Sequence, residues 1–302
     1  MPISKPLSYL AFQAQNTVFN MQIVHTVQEL RTIIHAWKAA GLRIAFVPTM
    51  GNLHAGHCQL VKVAKEKADK VVVSIFVNPT QFGAGEDFDS YPRTETQDQE
   101  KLQAIETDLL FLPSVAQMYS PDAKTVVSVA GLSELYCGAS RVGHFDGVAT
   151  VVCKLFNMVQ PDVALFGLKD FQQLAVIRTM VKDLNIPVEI FGVETVREAS
   201  GLAMSSRNTY LTPEQQQLAP LLYQSLCAAR VAILAGLDYT SIEEQALSTL
   251  QNAGFQPDYF RICRSNDLAP AQIKDTELVL LAAAKLGKPR LIDNLCFSKT
   301  MA

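Results

Sequence analysis

The chain has 302 residues, 49% of them hydrophobic and 18% charged, with a net charge of −3 at pH 7. That length suits one large domain or two ordinary ones with an ample core, and the composition excludes a disordered or fibrous protein. The slightly negative balance argues against nucleic acid held by a general basic field. No apolar run reaches the ~18 residues of a membrane span, and the N-terminus lacks the apolar core and cleavage site of a secretory signal. The six cysteines, Cys58, Cys137, Cys153, Cys227, Cys263 and Cys296, form no C-x-x-C pair. A cytoplasmic, reducing setting with inert free thiols is expected.

Residues 1–20 show no periodicity and are expected to be an extension outside the fold. From Met21 the sequence is patterned. A helix is predicted over Val27–Ala40, a buried strand over Arg43–Pro48, a helix over Gln59–Ala68, and a continuous apolar strand over Val71–Val77. This is a βαβ unit. Short strands are predicted at Asp108–Leu112 and Thr125–Val129, then a helix at Val148–Val159, a strand at Val163–Phe166, a helix at Phe171–Leu184 and a strand at Pro187–Val193. The alternation indicates an α/β fold, a Rossmann-like doubly wound parallel sheet over residues 21–195. After Asn208 the pattern changes. A long helix over Pro213–Ala235, another over Ser241–Asn252, and strands at Tyr259–Cys263, Leu278–Ala283 and Arg290–Ile292 suggest a smaller α+β domain over residues 196–302.

Four segments carry the chemistry. Pro48-Thr49-Met50-Gly51-Asn52-Leu53-His54-Ala55-Gly56-His57 follows the first buried strand and opens a helix. A helix N-terminus offers free N–H groups and a positive dipole end to phosphate. Gly51 lets the chain turn there, and Gly56 is expected to let nucleotide lie against backbone. His54 and His57 can donate to phosphate oxygens as charge grows on them; the competing reading is a helix cap plus a surface residue. A zinc site lacks further ligands at suitable spacing.

Gly167-Leu168-Lys169-Asp170-Phe171-Gln172-Gln173 also leads from a strand into a helix. Lys169 can meet polyphosphate, Asp170 can cap the helix or hold ribose hydroxyls, and Gln173 can face a polar substrate. Met204-Ser205-Ser206-Arg207 offers two hydroxyls and a guanidinium fork, either a phosphate clamp or a surface turn. Asn78 and Gln81 follow the second buried strand. Open α/β sheets bind ligands at the carboxyl ends of their strands, so both fall in the expected crevice.

Together PTMGNLHAGH, SIFVNPTQFGAGEDFDSYPRT, GHFDGVATVV, KDFQQ and GLAMSSRN resemble the pantothenate synthetase family of the nucleotidyltransferase superfamily, from about Met21 to Ile292. The resemblance implies that ATP and pantoate form pantoyl-adenylate and pyrophosphate, and that β-alanine then displaces AMP to give pantothenate. It implies ATP binding by Met50 through His57, Gly167 through Asp170, Val196 and Met204 through Arg207, with His57 as proton donor. Gln81 and Gln173 would hold pantoate. Magnesium (Mg²⁺) would accompany ATP, and the chain would be a homodimer. Asp98 is a conceivable magnesium ligand, although phosphates and water commonly suffice.

Two positions depart from the family pattern: Leu168 stands where relatives carry Glu, and Cys137 where they carry the Glu of L-E-G. Gly83–Arg93 and Ser205–Arg207 are the expected lids, since a mixed anhydride must be kept from water. The rival reading is a nucleotidylyltransferase that keeps the nucleotide on its product.

Overall fold

A computed structural model describes residues 20–299. Its elements begin with β1 (Gln22–Val24), α1 (Val27–Ala39), β2 (Ile44–Thr49), α2 (Ala55–Lys67), β3 (Lys70–Ile75), α3 (Glu95–Ala104) and β4 (Leu109–Phe111). Two short helices follow, α4 (Val115–Met118) and α5 (Cys137–Ser140). Then come α6 (His144–Val159), β5 (Val163–Gly167), α7 (Phe171–Asp183) and β6 (Glu189–Val193). The six strands form one parallel sheet in the order β1-β4-β3-β2-β5-β6.

Helices cover both faces of this sheet, and the strands alternate between the two cores as a period of two requires. Ile44 and Phe46 of β2 and Val72 of β3 pack with α1, α6 and α7. Ala45, Val47, Val71 and Val73 pack with Leu60, Val61 and Ala64 of α2 and Leu102 of α3. The strand order reverses direction between β2 and β5, so the carboxyl ends of these two strands flank the switch point where such sheets bind ligands.

The rest of the chain comprises α8 (Pro213–Leu218), α9 (Leu221–Leu234), α10 (Tyr239–Asn252), β7 (Gln256–Arg264), β8 (Glu277–Lys285) and β9 (Arg290–Ser298). The strands form an antiparallel sheet in that order over a core with α9 and α10.

Several expectations are corrected. Thr125–Val129 is not a strand: it bonds to α6 through Val127 N–H and Thr150 Oγ1 (2.9 Å), without a ladder partner. The helix placed at Val148 starts four residues earlier, at His144, because Gly143 turns the chain with φ 79°. The single helix predicted over Pro213–Ala235 divides at Ala219-Pro220 into α8 and α9. Pro213–Leu234 has the length and mean hydropathy (1.2) of a membrane span. Its apolar stripe nevertheless serves packing, since Leu222, Leu226, Ala229 and Ile233 are buried in the second core. The expected extension at residues 1–20 lies outside the described residues except for Asn20.

Candidate active site

The turn from β2 into α2 is built by backbone strain and one buried carboxylate. Gly51 has φ 83°, and a Cβ there would lie 2.9 Å from Ile75 Cγ2 and 3.2 Å from Asp98 Oδ2. Asn52 is also left-handed, at φ 49°. Asp98, on α3 and fully buried, holds this conformation. Its oxygens accept the N–H groups of Asn52 and Leu53, each at 2.8 Å, and the Thr94 hydroxyl at 3.1 Å. Both carboxylate oxygens accept from the turn, so Asp98 positions it. Asp98 lies far from the motif in sequence, and only the fold shows what it does.

The helix-cap and phosphate-donor readings of the histidine pair are compatible. His54 is the N-cap of α2: its Nδ1 accepts Gly56 N–H at 3.1 Å. The His54 N–H in turn donates to His57 Nδ1 at 3.3 Å. An Nδ1 that accepts carries no proton, so each neutral ring has its hydrogen on Nε2. Burial, followed by the nearby Lys169 charge, pushes His54 down to about 4. Burial, followed by His54, pushes His57 down to about 3. At neutral pH both rings are uncharged Nε2–H donors. Besides the reason expected, Gly56 makes room for the imidazole: a Cβ there would lie 2.9 Å from His54 Cε1.

These residues line a cavity of about 230 Å³ at the switch point. It gathers Met50, His54, Gly56, His57, Asn78, Gln81, Gly167, Lys169, Asp170, Gln173, Val196, Met204, Ser205, Ser206 and Arg207. Gly51, Asn52, Leu53, Ala55 and Leu168 do not line it. Leu53 is buried in the core, and Asn52 presents its carbonyl to Ser206 Oγ (3.1 Å). Asp170 makes no capping bond to α7 and lies 3.9 Å from Lys169 Nζ. Sequence reading missed the apolar floor, formed by Val148, Val151, Val152 and Leu155 of α6. Their i, i+3, i+4, i+7 spacing looks the same as that of any core-facing helix stripe.

Asn78 is buried and its amide is fully used. Its nitrogen donates to Gln81 Oε1 and to the Gly147 carbonyl, each at 3.1 Å, while its oxygen accepts the Tyr119 hydroxyl at 2.9 Å. Gln81 Nε2 lies 3.2 Å from Met50 Sδ, a weak acceptor that a substrate oxygen can displace. The neighbouring Gln172 and Gln173 divide their work. Gln172 is buried and ties the segment before α6 to α7, through Cys137 N–H (3.1 Å) and the Leu132 and Leu135 carbonyls (2.8 and 2.6 Å). Gln173 faces the cavity.

Two adjacent carboxylates each hold an arginine. Asp87 receives the Arg207 fork at 3.1 and 2.9 Å, and Glu86 receives the Arg141 fork at 2.6 Å on each oxygen. Burial opposes ionisation of Glu86, but the Arg141 hydrogen bonds and charge outweigh it and hold the carboxyl down at about 2. Ser205 Oγ accepts Arg207 N–H at 3.3 Å, fixing the base of that side chain. Leu168, at one departure from the family pattern, packs beside Gly192, where a Cβ would come within 2.9 Å of it. At the other, the Cys137 thiol lies 3.0 Å from the Tyr259 hydroxyl and 3.4 Å from Arg290.

Comparison with known proteins covers nearly the whole described chain. The family model described as pantoate-beta-alanine ligase matches residues 22–296. Pantothenate synthetase from Methylococcus capsulatus is 58% identical over 281 residues, covering 92% of this chain and 98% of its own. The Shewanella baltica enzyme of the same name is 56% identical over 275 residues, covering 90% and 98%. Among solved structures, pantothenate synthetase from Thermus thermophilus superposes with a TM-score of 0.85 at 46% identity, covering 91% of this chain and 99% of that one. Pantoate-beta-alanine ligase from Francisella tularensis, complexed with beta-gamma ATP and beta-alanine, superposes with a TM-score of 0.78 at 33% identity, covering 92% and 98%. The chain belongs to the pantoate–β-alanine ligase family.

Proposed function

We propose a division of labour among the cavity residues for the reaction this chain catalyses, the ATP-dependent condensation of pantoate with β-alanine to pantothenate. The observation that carries the assignment is the pair of locked imidazoles beside Lys169. In the first half-reaction the pantoate carboxylate oxygen attacks the α-phosphorus of ATP, and the bond to the bridging oxygen breaks to release pyrophosphate. In this reading Nε2–H of His54 and His57 and the Lys169 ammonium meet the charge that develops on the departing phosphates. Because His57 Nδ1 accepts the His54 N–H, its Nε2–H is the group that donates to the departing phosphate. Arg207, with Ser205 and Ser206, serves the polyphosphate once it exchanges the Asp87 carboxylate for phosphate oxygens.

Pantoate carries a carboxylate, two hydroxyls and a pair of methyl groups. Gln81 and Gln173 suit the polar end, and the Val148–Leu155 floor suits the methyl groups. Asn78 orients Gln81. In the second half-reaction the β-alanine amine attacks the acyl carbon and AMP leaves, a far better leaving group than oxide. The Francisella relative, complexed with a nucleotide and β-alanine, supports these two ligands for the same cavity. Among the described residues no group of three or more His, Cys, Asp or Glu is arranged to hold a metal ion. Magnesium therefore fits as the ATP complex, where it would neutralise phosphate charge with phosphate and water completing its shell.

We further assign residues 196–302 as a smaller domain closing over the active site, a cytoplasmic location and a homodimer. The test of the reaction is AMP release with pantoate, β-alanine and ATP, each omitted in turn. Free AMP only in the complete mixture is expected. A product that keeps the nucleotide would instead identify a nucleotidylyltransferase.

A further inference from the structure

Two adjacent residues of the second sheet bond to segments that carry lining residues of the cavity. β9 is an edge strand bonded only to β8, and Asp293 and Asn294 lie within it, 4% and 6% exposed. The Asn294 amide donates one hydrogen bond to the Leu168 carbonyl and another to the Lys169 carbonyl, each at 2.8 Å. Both of its hydrogens are thus spent on the turn that carries Lys169. Asp170 makes no capping bond there, so Asn294 supplies the side-chain hydrogen bonds to the turn's carbonyls.

Asp293 holds a second piece of the wall. Its carboxylate receives the Arg197 fork at 2.6 and 2.9 Å, and its Oδ1 also accepts the Asn294 N–H at 2.8 Å. Arg197 immediately follows Val196, bridges to Ala203, and lies with its guanidinium 3.5 Å from the Tyr223 ring centroid. The Val196 carbonyl accepts Met204 N–H at 3.0 Å. Anchoring Arg197 therefore places Val196 and Met204 together.

We infer that Asp293-Asn294 is a positioning pair for nucleotide: Asn294 sets where the Lys169 ammonium stands, and Asp293 sets the Val196–Met204 wall opposite. The inference rests on the reading of this cavity as the ATP site. A pair that merely cemented two packed bodies would affect every ligand and the melting temperature alike. A positioning pair acts on the nucleotide, and Asn294 acts through Lys169.

Asn294→Asp keeps the side-chain size but turns acceptor oxygens toward the two carbonyls, and Asn294→Leu removes the donors without adding charge. The wild-type protein is first shown to release AMP; failure there would sink the ATP reading and this proposal with it. With wild type active, each variant should weaken the ATP dissociation constant, by titration calorimetry, about tenfold, and leave the β-alanine KM within twofold. In a Lys169→Ala background the same changes should weaken ATP less than twofold further, because coupled residues are not additive. Unchanged ATP affinity, an equal loss for ATP and β-alanine, or losses that multiply across Lys169→Ala would each overturn the assignment. If neither variant folds, Asn294→Ser, which retains one donor, should show an intermediate ATP loss; wild-type affinity there would overturn it as well.

Discussion

His54 and His57 each give Nδ1 to a backbone N–H, which makes cap geometry and donor chemistry one arrangement. The sequence shows the pair and its place at a βα turn, but not the tautomer, because that depends on which atom meets which N–H. Nor does it show Asp98, whose contacts with Asn52 and Leu53 span more than forty residues. The depressed histidines have a consequence for stability. In the unfolded chain each binds a proton near pH 6.5, whereas the folded protein resists protonation down to about 4 at His54 and about 3 at His57. Burial, followed by the Arg141 charge, likewise pushes His144 down to about 4. The unfolded state thus binds more protons below pH 6.5, and stability falls as pH drops from there toward 3. Urea midpoints measured from pH 8 to pH 4 should be level above 6.5 and decline below it, and a His54→Asn/His57→Asn variant should decline less. An identical decline in that variant would refute the assignment of this slope to the pair.

At the scale of elements, strong periodicity made the sheet legible. The apolar runs that give β2, β3 and β5 are buried on both faces. The missed β1 and the understated β9 lack that signal: β1 has three residues at a sheet edge, and β9 is buried only in its first half and runs out to exposed positions at Cys296 and Ser298. Thr125–Val129 has strand propensity but no neighbouring strand, and propensity without a partner does not make a ladder. Contact between α6 and the Asn78–Gln81 turn was also illegible, since it rests on the missing side chain of Gly147. A Cβ there would collide with the Thr80 carbonyl and lie 2.7 Å from Gln81 Cα. Gly147→Ala is expected to push Gln81 away and raise the pantoate KM about tenfold, in line with the ~1–3 kcal/mol cost of overpacking. The ATP KM should change little. Steady-state kinetics with each substrate varied would check this, and an unchanged pantoate KM would count against the role of the turn.

For the whole molecule, the sequence separates a β/α portion from a later α+β portion, and two distinct sheets and cores occupy those stretches. What it could not show is that the later portion bonds through Asp293 and Asn294 to Arg197 and to the turn that carries Lys169. The proposed homodimer has its best surface at the unpaired 125–129 segment, where Val126 is 66% exposed. The Val148–Val159 stretch of α6 offers little surface, because most of it is buried in the first core. Analytical ultracentrifugation at micromolar concentration should find about twice the 33.2 kDa chain mass. Val126→Asp should shift the distribution toward monomer. A lone 33 kDa species for the wild type would contradict the assembly.

The central claim is that adenylate formation precedes the amine and depends on neutral donors at His54 and His57 beside Lys169. Pantoate-dependent exchange of labelled pyrophosphate into ATP, measured without β-alanine, tests it most directly. The wild-type protein should exchange. His57→Ala should slow exchange about 10²–10³-fold, roughly 3–4 kcal/mol of lost transition-state stabilisation, with Lys169→Ala similar. Gln81→Ala should chiefly weaken pantoate, by about 1–3 kcal/mol. Exchange that required β-alanine, or that ran at the wild-type rate in His57→Ala, would contradict the mechanism.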